Sequence, residues 1–290
     1  MSCKSPMKYA GSSLSHLPVI KKYIPKDTTL IVEPFCGSAA LSFSKDTPFI
    51  LTDKSPELIN FYKCLMEDPS KVFELATELA DRHSKEFFLE SRQVDRLDGF
   101  SSSCAYMRAS RYIYLSYFGF NGLQRVNSKG FSNTPYGGDS RSFPRDMKKS
   151  FTDASEHLNK YCKSVRYEEF DNIDVLISHI DAGDKPFVLI DPPYEKPDSG
   201  KAVFQQYTTT KIDEEFYSRL TSHMEDLNEA DIPFLMTNTF CNSIKERFSN
   251  WTLDKVDVNY KVGAKGDYTG CKFEYFVSNK GQLNDTKYIK

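Results

Sequence analysis

The residues whose types and spacing most directly suggest chemistry are Asp191-Pro192-Pro193-Tyr194. The Asp191 carboxylate and the Pro192 carbonyl stand one residue apart, and both accept hydrogen bonds. Together they can hold the two protons of an aromatic amino group. The lone pair of such an amine is delocalised into its ring, which makes it a poor nucleophile. Two acceptors orient the amine and localise the lone pair without full deprotonation. The Tyr194 ring can stack on the base and fix its plane. Taken by itself, the tetrapeptide also reads as a strand, a Pro-Pro turn and an ordinary aspartate.

The elements that must position these groups are visible around them. Phe187-Val188-Leu189-Ile190 is a short apolar run stopped by two prolines, the pattern of a buried strand with an abrupt end. Neither proline carries an N–H, and both hold φ near about −65°. The turn is therefore stiff, at the C-terminal edge of a strand, where open α/β sheets bind ligands. Residues 29–33 read as a first buried strand. Pro34-Phe35-Cys36-Gly37-Ser38-Ala39-Ala40-Leu41 follows, and its small residues permit a tight strand-to-helix turn with close approach of a ligand. Gly37 is the only glycine there, so a dinucleotide pyrophosphate is not the favoured guest. A second strand, Pro48 to Thr52, ends at Asp53. An acid about 20 residues past the turn suits ribose hydroxyls. Asp53 also precedes Ser55-Pro56-Glu57, a helix start, so a capping role competes. Lys8-Tyr9-Ala10-Gly11-Ser12-Ser13 precedes a helix-like stretch from Leu14 to Tyr23; it can offer N–H groups to an anion or simply cap that helix.

Bulk properties bound the rest. The 290 residues suffice for two modest domains or one large α/β domain with an insertion. A net charge of −2 excludes a polycation, so any nucleic-acid surface is local. Seven scattered cysteines without a C-x-x-C pair predict reduced thiols in a cytoplasmic protein. The histidines show no metal-ligand spacing and no apolar run nears about 18 residues, so neither a metal nor a membrane is expected. Residues 101–150 change character: eight Lys and Arg stand against two acids, a local charge of +6. Tyr106, Tyr112, Tyr114, Tyr117, Phe118, Phe120, Phe131 and Tyr136 interleave with them. Basic charge suits phosphates, and planar side chains stack on or wedge between bases. The same composition also fits a helical subdomain with an aromatic core and a basic surface. Asn121-Gly122 and Pro135-Tyr136-Gly137 mark loops or a hairpin.

Residues 56–100 have helical spacing. Residues 163–171 read as a third strand whose end, Glu169-Phe170, offers an acid and a ring to an adenine. A helix is expected at 173–180, then, after the strand before Asp191, a polar loop at 200–211 around Phe204 and Tyr207. Next come a helix from Asp213 to Leu227 and a strand from Ile232 to Met236, ending at Thr237-Asn238. Two further strands, 251–261 and 271–278, flank a loop from Gly263 to Gly270.

Taken together, these stretches resemble the DNA adenine methylase (Dam) family, the D12 class or α-group of amino-methyltransferases that use S-adenosylmethionine. The matching pieces are Lys8-Tyr9-Ala10-Gly11, Val32-Glu33-Pro34-Phe35-Cys36-Gly37, Thr52-Asp53, Gly119-Phe120-Asn121-Gly122-Leu123-Gln124-Arg125, Asn133-Thr134-Pro135-Tyr136-Gly137, Glu169-Phe170 and Asp191-Pro192-Pro193-Tyr194. They occur in the family's order and cover nearly the whole chain.

The resemblance implies an α/β fold: a Rossmann-like S-adenosylmethionine-dependent methyltransferase sheet, with a mostly helical, hairpin-containing target-recognition domain inserted. Residues 1–57 and 160–290 would form the catalytic domain and 58–159 the recognition domain. Tyr9, Ala10, Gly11 and Ser13 would lie by the cofactor. Glu33, Pro34, Phe35, Gly37 and Ser38 would lie near its methionine part, Asp53 on its ribose, and Glu169 and Phe170 beside its adenine. The family usually carries lysine where this chain has Ser13, and often tryptophan where it has Tyr9, so cofactor affinity would rest on other contacts. Asp191 to Tyr194 would hold a flipped adenine. Arg125 matches the family's guanine-reading arginine and Phe120 its wedging aromatic, with Asn121, Gly122, Leu123, Asn133, Pro135 and Tyr136 on the same DNA surface.

The activity so implied is direct methyl transfer from S-adenosylmethionine to the exocyclic amine of an adenine flipped out of double-stranded DNA, with GATC as the target. It needs no metal, no nucleophilic role for Cys36 and no obligate protein partner. An N4-cytosine methyltransferase, an RNA methyltransferase and a catalytically idle DNA-binding protein are the competing readings.

Overall fold

The computed structural model describes residues 3–9, 11, 15–168, 180, 183–200, 205–257 and 273–281. In chain order its elements are α1 (Leu17–Ile20), β1 (Leu30–Glu33), α2 (Ala40–Phe43), β2 (Phe49–Asp53), α3 (Pro56–Glu67), α4 (Pro69–Asp81), α5 (Lys85–Gln93), α6 (Ala105–Phe118), α7 (Lys148–Tyr161), β3 (Cys162–Tyr167), β4 (Pro186–Ile190), α8 (Glu214–Glu229), β5 (Phe234–Thr239), α9 (Asn242–Arg247), β6 (Thr252–Asp257) and β7 (Phe273–Ser278). The strand order is β3-β2-β1-β4-β5-β7-β6. The α/β class read from the sequence is the class observed. The helix expected at 173–180, except for residue 180, and the loop at 263–270 lie outside the described residues.

The chain divides into two compact units, the first made of residues 1–12, 36–168 and 206–210. Here β2 and β3 run parallel, with Ile50 beside Ser164 and Asp53 beside Tyr167. The helices begin where the sequence supplies caps. Ser55 accepts from Leu58 N ahead of Pro56. Asp68 accepts from Lys71 N ahead of Pro69, and Ser84 accepts from Phe87 N. Each cap satisfies a backbone donor that the first helical turn leaves open.

Helix α6 is buried at every position from Ala109 to Phe118. A helix buried all round must satisfy its polar side chains internally. Ser110 donates to Val72 O at 3.1 Å, and Arg111 donates Nε to Ser91 O and Nη2 to Arg92 O. Arg111 also pairs with Asp95 at 3.2 Å.

Much of the basic charge of residues 101–150 is answered by acids from other segments. Arg108 pairs with Glu57, Arg145 with Asp81 and Lys148 with Glu74. Tyr112, Tyr114, Tyr117 and Phe118 are core, whereas Phe120 is 38% exposed. Among the described residues, Arg125, Lys129 and Arg141 form no ion pair, and they lie in or just after the region that folds back on itself. There Gly119 bridges Tyr136 and Val126 bridges Ser132, both antiparallel.

The second unit comprises residues 13–35, 169–205 and 211–290. β1, β4 and β5 run parallel, with Val32 beside Val188 and Ile190 beside Met236. All of β1 and β5 and most of β4 are buried, as expected of strands covered on both faces. β7 then runs antiparallel to both β5 and β6. β1 and β4 are neighbours although far apart in sequence, so the direction in which the sheet grows reverses between them. Open α/β sheets hold ligands beyond the C-terminal ends of strands at such a point.

The base of the folded-back region depends on close backbone approach. A Cβ at Gly119 would lie 2.5 Å from both Leu115 O and Thr134 Cγ2. Gly119→Ala should therefore lower unfolding free energy by about 1–3 kcal/mol. Denaturant titration checks this, and an unchanged midpoint would show that the crowding is relieved without loss.

Candidate active site

In the second unit, Asp191 follows β4 directly and Glu33 closes the adjacent parallel strand β1. Pro192 and Pro193 cannot donate from their backbone, so side chains from β5 and β7 secure the turn. Thr237 Oγ1 donates to Asp191 Oδ1 at 2.5 Å. Asn238 Oδ1 accepts from Glu195 N at 2.9 Å and from Thr239 N at 2.8 Å. Thr239 Oγ1 donates to Glu195 O at 2.6 Å. Tyr194 Oη donates to Glu274 Oε2 at 3.0 Å, and Gln205 Nε2 donates to Tyr194 O at 2.7 Å. Glu274 is 1% exposed. His16 Nδ1 lies 3.7 Å from Glu274 Oε2, and burial lowers the His16 pKa to about 4, so the ring is neutral at pH 7. Tyr194 is thus held at its hydroxyl and its carbonyl, and Asp191 at one carboxylate oxygen.

Glu33 is buried, and Phe35 meets the Phe216 ring edge-on at 6.3 Å. In the first unit, Gly37 adopts a φ of +46°, a left-handed conformation that favours glycine. A Cβ there would lie 3.0 Å from the Tyr9 ring. Tyr9 stacks on Tyr207 at 5.7 Å with 13° between the planes. Asp53 Oδ2 accepts from Gly37 N at 3.1 Å and Oδ1 from Ser55 N at 2.9 Å. Asp53 therefore fastens the turn after β1 to the start of α3, and Ser55 is the residue that caps α3. Ser38 and Cys36 are buried. Pro34 continues from β1 into the turn.

The DNA-directed residues of the sequence analysis gather in the first unit. Arg125 N donates to Thr134 Oγ1 at 3.1 Å, and Asn133 N donates to Arg125 O at 2.8 Å. Arg125 Nε and Asn133 Oδ1 are buried with no hydrogen-bond partner. Phe120 N donates to Pro135 O at 2.9 Å. Asn121 sits at φ +51°, and Arg141 donates to its side chain at 3.3 Å. Gly122 packs against Lys8: a Cβ there would lie 3.2 Å from the lysine's Cβ. Leu123 O accepts from Thr134 Oγ1. The Tyr136 hydroxyl donates to Asp139 at 2.5 Å.

Ala10, Ser13, Glu169 and Phe170 lie outside the described residues. Thr237, Asn238 and Glu274 received no role from the sequence, although two signals were present. Thr237-Asn238-Thr239 is a polar triplet closing an apolar strand, and Glu274 is a lone acid in Phe273-Glu274-Tyr275-Phe276-Val277. Among the described residues, no group of three or more His, Cys, Asp or Glu could hold a metal, and no helix is long and apolar enough to cross a membrane.

A mostly parallel sheet with an Asp-Pro-Pro-Tyr turn beyond its reversal point defines a class, and comparison with known proteins gives the family. The chain belongs to the D12 class N6 adenine-specific DNA methyltransferases, whose family model matches residues 9–262. It is 30% identical over 276 residues to the type II methyltransferase M1.LlaDCHI of Lactococcus lactis subsp. cremoris, covering 94% of each chain. It is 29% identical over 264 residues to the DNA adenine methylase of Escherichia coli (strain K12), covering 90% of this chain and 89% of that one. The retron Ec67 DNA adenine methylase of Escherichia coli is 27% identical over 267 residues, covering 89% and 85%. The enzyme class expected from the sequence, an adenine-specific DNA methyltransferase, is the class of this family.

Burial raises the Asp53 carboxyl from 3.8 to about 6, against the N–H groups of Gly37, Ser55 and Lys54, which lower it. The folded state therefore keeps a proton that the unfolded state has already lost in this window. The contribution of Asp53 to stability is full below pH 3.8, falls as pH rises to about 6, and is flat above. A shift of roughly two units corresponds to about 3 kcal/mol. The stability difference between the wild type and Asp53→Asn should change by that order between pH 4 and 7, against the wild type as pH rises. A pH-independent difference would refute the assignment.

Proposed function

We propose that the protein is a site-specific DNA adenine-N6 methyltransferase that acts on duplex DNA, uses S-adenosylmethionine, flips its target base and recognises GATC. The observation that carries this reading is the Asp191-Pro192-Pro193-Tyr194 turn at the C-terminal end of β4, with Asp191 held by Thr237 and Tyr194 by Glu274.

The residues present fit the cofactor. The missing side chain of Gly37 lets the turn lie directly against the Tyr9 ring. The N–H groups of Gly37, Ser55 and Lys54 and the Cys36 thiol fix the Asp53 carboxyl at the end of β2, which is where this reading places a ribose hydroxyl. S-adenosylmethionine supplies, when bound, an already activated methyl group. In this reading Glu33, Pro34, Phe35, Gly37 and Ser38 serve its methionine part, Tyr9, Ala10, Gly11 and Ser13 serve the cofactor too, and Glu169 and Phe170 serve its adenine.

Asp191 and the Pro192 carbonyl accept the two amino protons of the target adenine and turn its nitrogen lone pair out of conjugation. Tyr194 stacks on the base and excludes water from its face. Most of the acceleration comes from orientation and from acceptors already in place. In the recognition insert, assigned to residues 58–159, Phe120 enters the base stack and Arg125 reads a guanine through two donors. The buried, unpartnered Nε of Arg125 supports that role, because such a donor is costly unless an acceptor arrives. The name of the Escherichia coli relative, a DNA adenine methylase, supports the base assignment.

The decisive experiment is labelled methyl transfer into unmethylated duplex DNA, followed by nucleoside analysis and mapping. N6-methyladenine confined to GATC is expected. N6-methyladenine elsewhere would overturn the target, N4-methylcytosine the base, and transfer into RNA alone the duplex DNA. Asp191→Ala should abolish transfer while leaving most DNA affinity; near-normal turnover would remove Asp191 from the chemistry. Arg125→Ala should lose about 1–3 kcal/mol of discrimination at one base pair. Competition among duplexes carrying single substitutions measures this, and unchanged discrimination at every position rejects the role.

A further inference from the structure

Residues 206–210 come late in the chain but belong to the first unit. Their contacts fall into two sets. On one side, Gln206 O accepts from Val126 N at 2.9 Å, and a Cβ on Gly130 would lie 3.5 Å from Thr209 Cγ2. Val126 and Gly130 belong to the folded-back region that carries Arg125. On the other side, Tyr207 stacks on Tyr9, and its hydroxyl would lie 2.8 Å from a Cβ on Gly11. Tyr9 in turn backs Gly37, whose N–H is held by Asp53.

One unbroken chain of contacts therefore runs through this unit: Asp53, Gly37, Tyr9, Tyr207, Gln206, Val126 and Arg125. Its links are hydrogen bonds, a ring stack, covalent neighbours and, between Gly37 and Tyr9, the packing of backbone against a ring. Gly11, at φ +77°, lets Tyr207 approach where a side chain would block it. Gln206 and Thr209 are exposed, whereas Tyr207, Thr208 and Thr210 are half-buried.

We infer that Tyr207 is a positioning residue that couples DNA reading to cofactor binding: seating the Arg125 region on its sequence presses Tyr207 onto Tyr9 and firms the cofactor turn. The inference rests on the proposed function and adds to it a residue that touches neither base nor methyl group. Coupling is reciprocal, so cofactor should tighten DNA binding by the same factor by which DNA tightens cofactor binding.

The test is calorimetric titration of the full chain with S-adenosylhomocysteine, which occupies the cofactor site and cannot transfer a methyl group. It is run alone, with a GATC duplex and with a scrambled duplex. In the wild type the GATC duplex should lower the dissociation constant by about fivefold or more, and the scrambled duplex should leave it unchanged. Tyr207→Ala should bring that ratio below about twofold, and Tyr207→Phe, which keeps the stacked ring, should preserve it. DNA affinity measured with and without S-adenosylhomocysteine should show the same ratios. If Tyr207→Ala weakens free and DNA-bound cofactor affinity equally, the ratio survives, Tyr207 is only a brace and the inference is overturned. A wild type that binds S-adenosylhomocysteine equally with and without DNA overturns the coupling alone. A wild type that binds none overturns the functional reading, and the inference falls with it.

Discussion

Two adjacent prolines at the end of β4 set a constraint that spreads outward. Residues 192 and 193 have no backbone donor, so the turn after the strand cannot be fixed by main-chain bonding of the ordinary kind. The neighbouring strands supply side chains instead: Thr237 to Asp191, Asn238 and Thr239 to Glu195, and Glu274 to Tyr194. These partners lie 43 to 80 residues away in sequence, so the turn has its shape only once the sheet is assembled. That explains why polar residues occupy the dry end of β5, where apolar ones would pack more cheaply. It also explains why Glu274, almost wholly inaccessible, stays in an otherwise apolar strand: it receives the Tyr194 hydroxyl.

The same pattern of distant partners separates what could be read from the sequence from what could not. β1, β2 and β4 were legible because each is a short apolar run with a sharp polar or proline end. α3 was legible from Ser55-Pro56 and its apolar spacing. Helix α7 has Phe151, Ala154 and Leu158 at helical intervals but carries no start signal, since Met147 stands at its N-cap without a side-chain cap and its first turn holds no acid. The +6 of residues 101–150 was a true count, but composition tallies charges by position along the chain. In space Arg108, Arg111, Arg145 and Lys148 have acids from residues 57–95 beside them, and Lys149 has Asp153. The basic groups left without such partners, Arg125, Lys129 and Arg141, are fewer and more localised. The capping reading of Asp53 comes near the observation: its carboxylate receives the N–H groups of Ser55 and Gly37, while the residue that caps α3 is Ser55 itself.

Tyr9 stands where the family often carries tryptophan. A tyrosine ring is smaller, and here it is sandwiched: Gly37 approaches it on one side and Tyr207 stacks on it from another. Departures from a family pattern are best judged by what stands next to them in space.

The far end of the folded-back region has a further consequence. Asn127 Oδ1 accepts from both Lys129 N and Phe131 N, and the Asn127 backbone bonds to Phe131 and Gly130. The tip thus closes on itself, with the exposed side chains of Ser128 and Lys129 taking no part in its bonding. A loop built this way is a replaceable part. Substitutions at its two outward residues leave that internal bonding untouched, so the stem that carries Arg125 keeps its register.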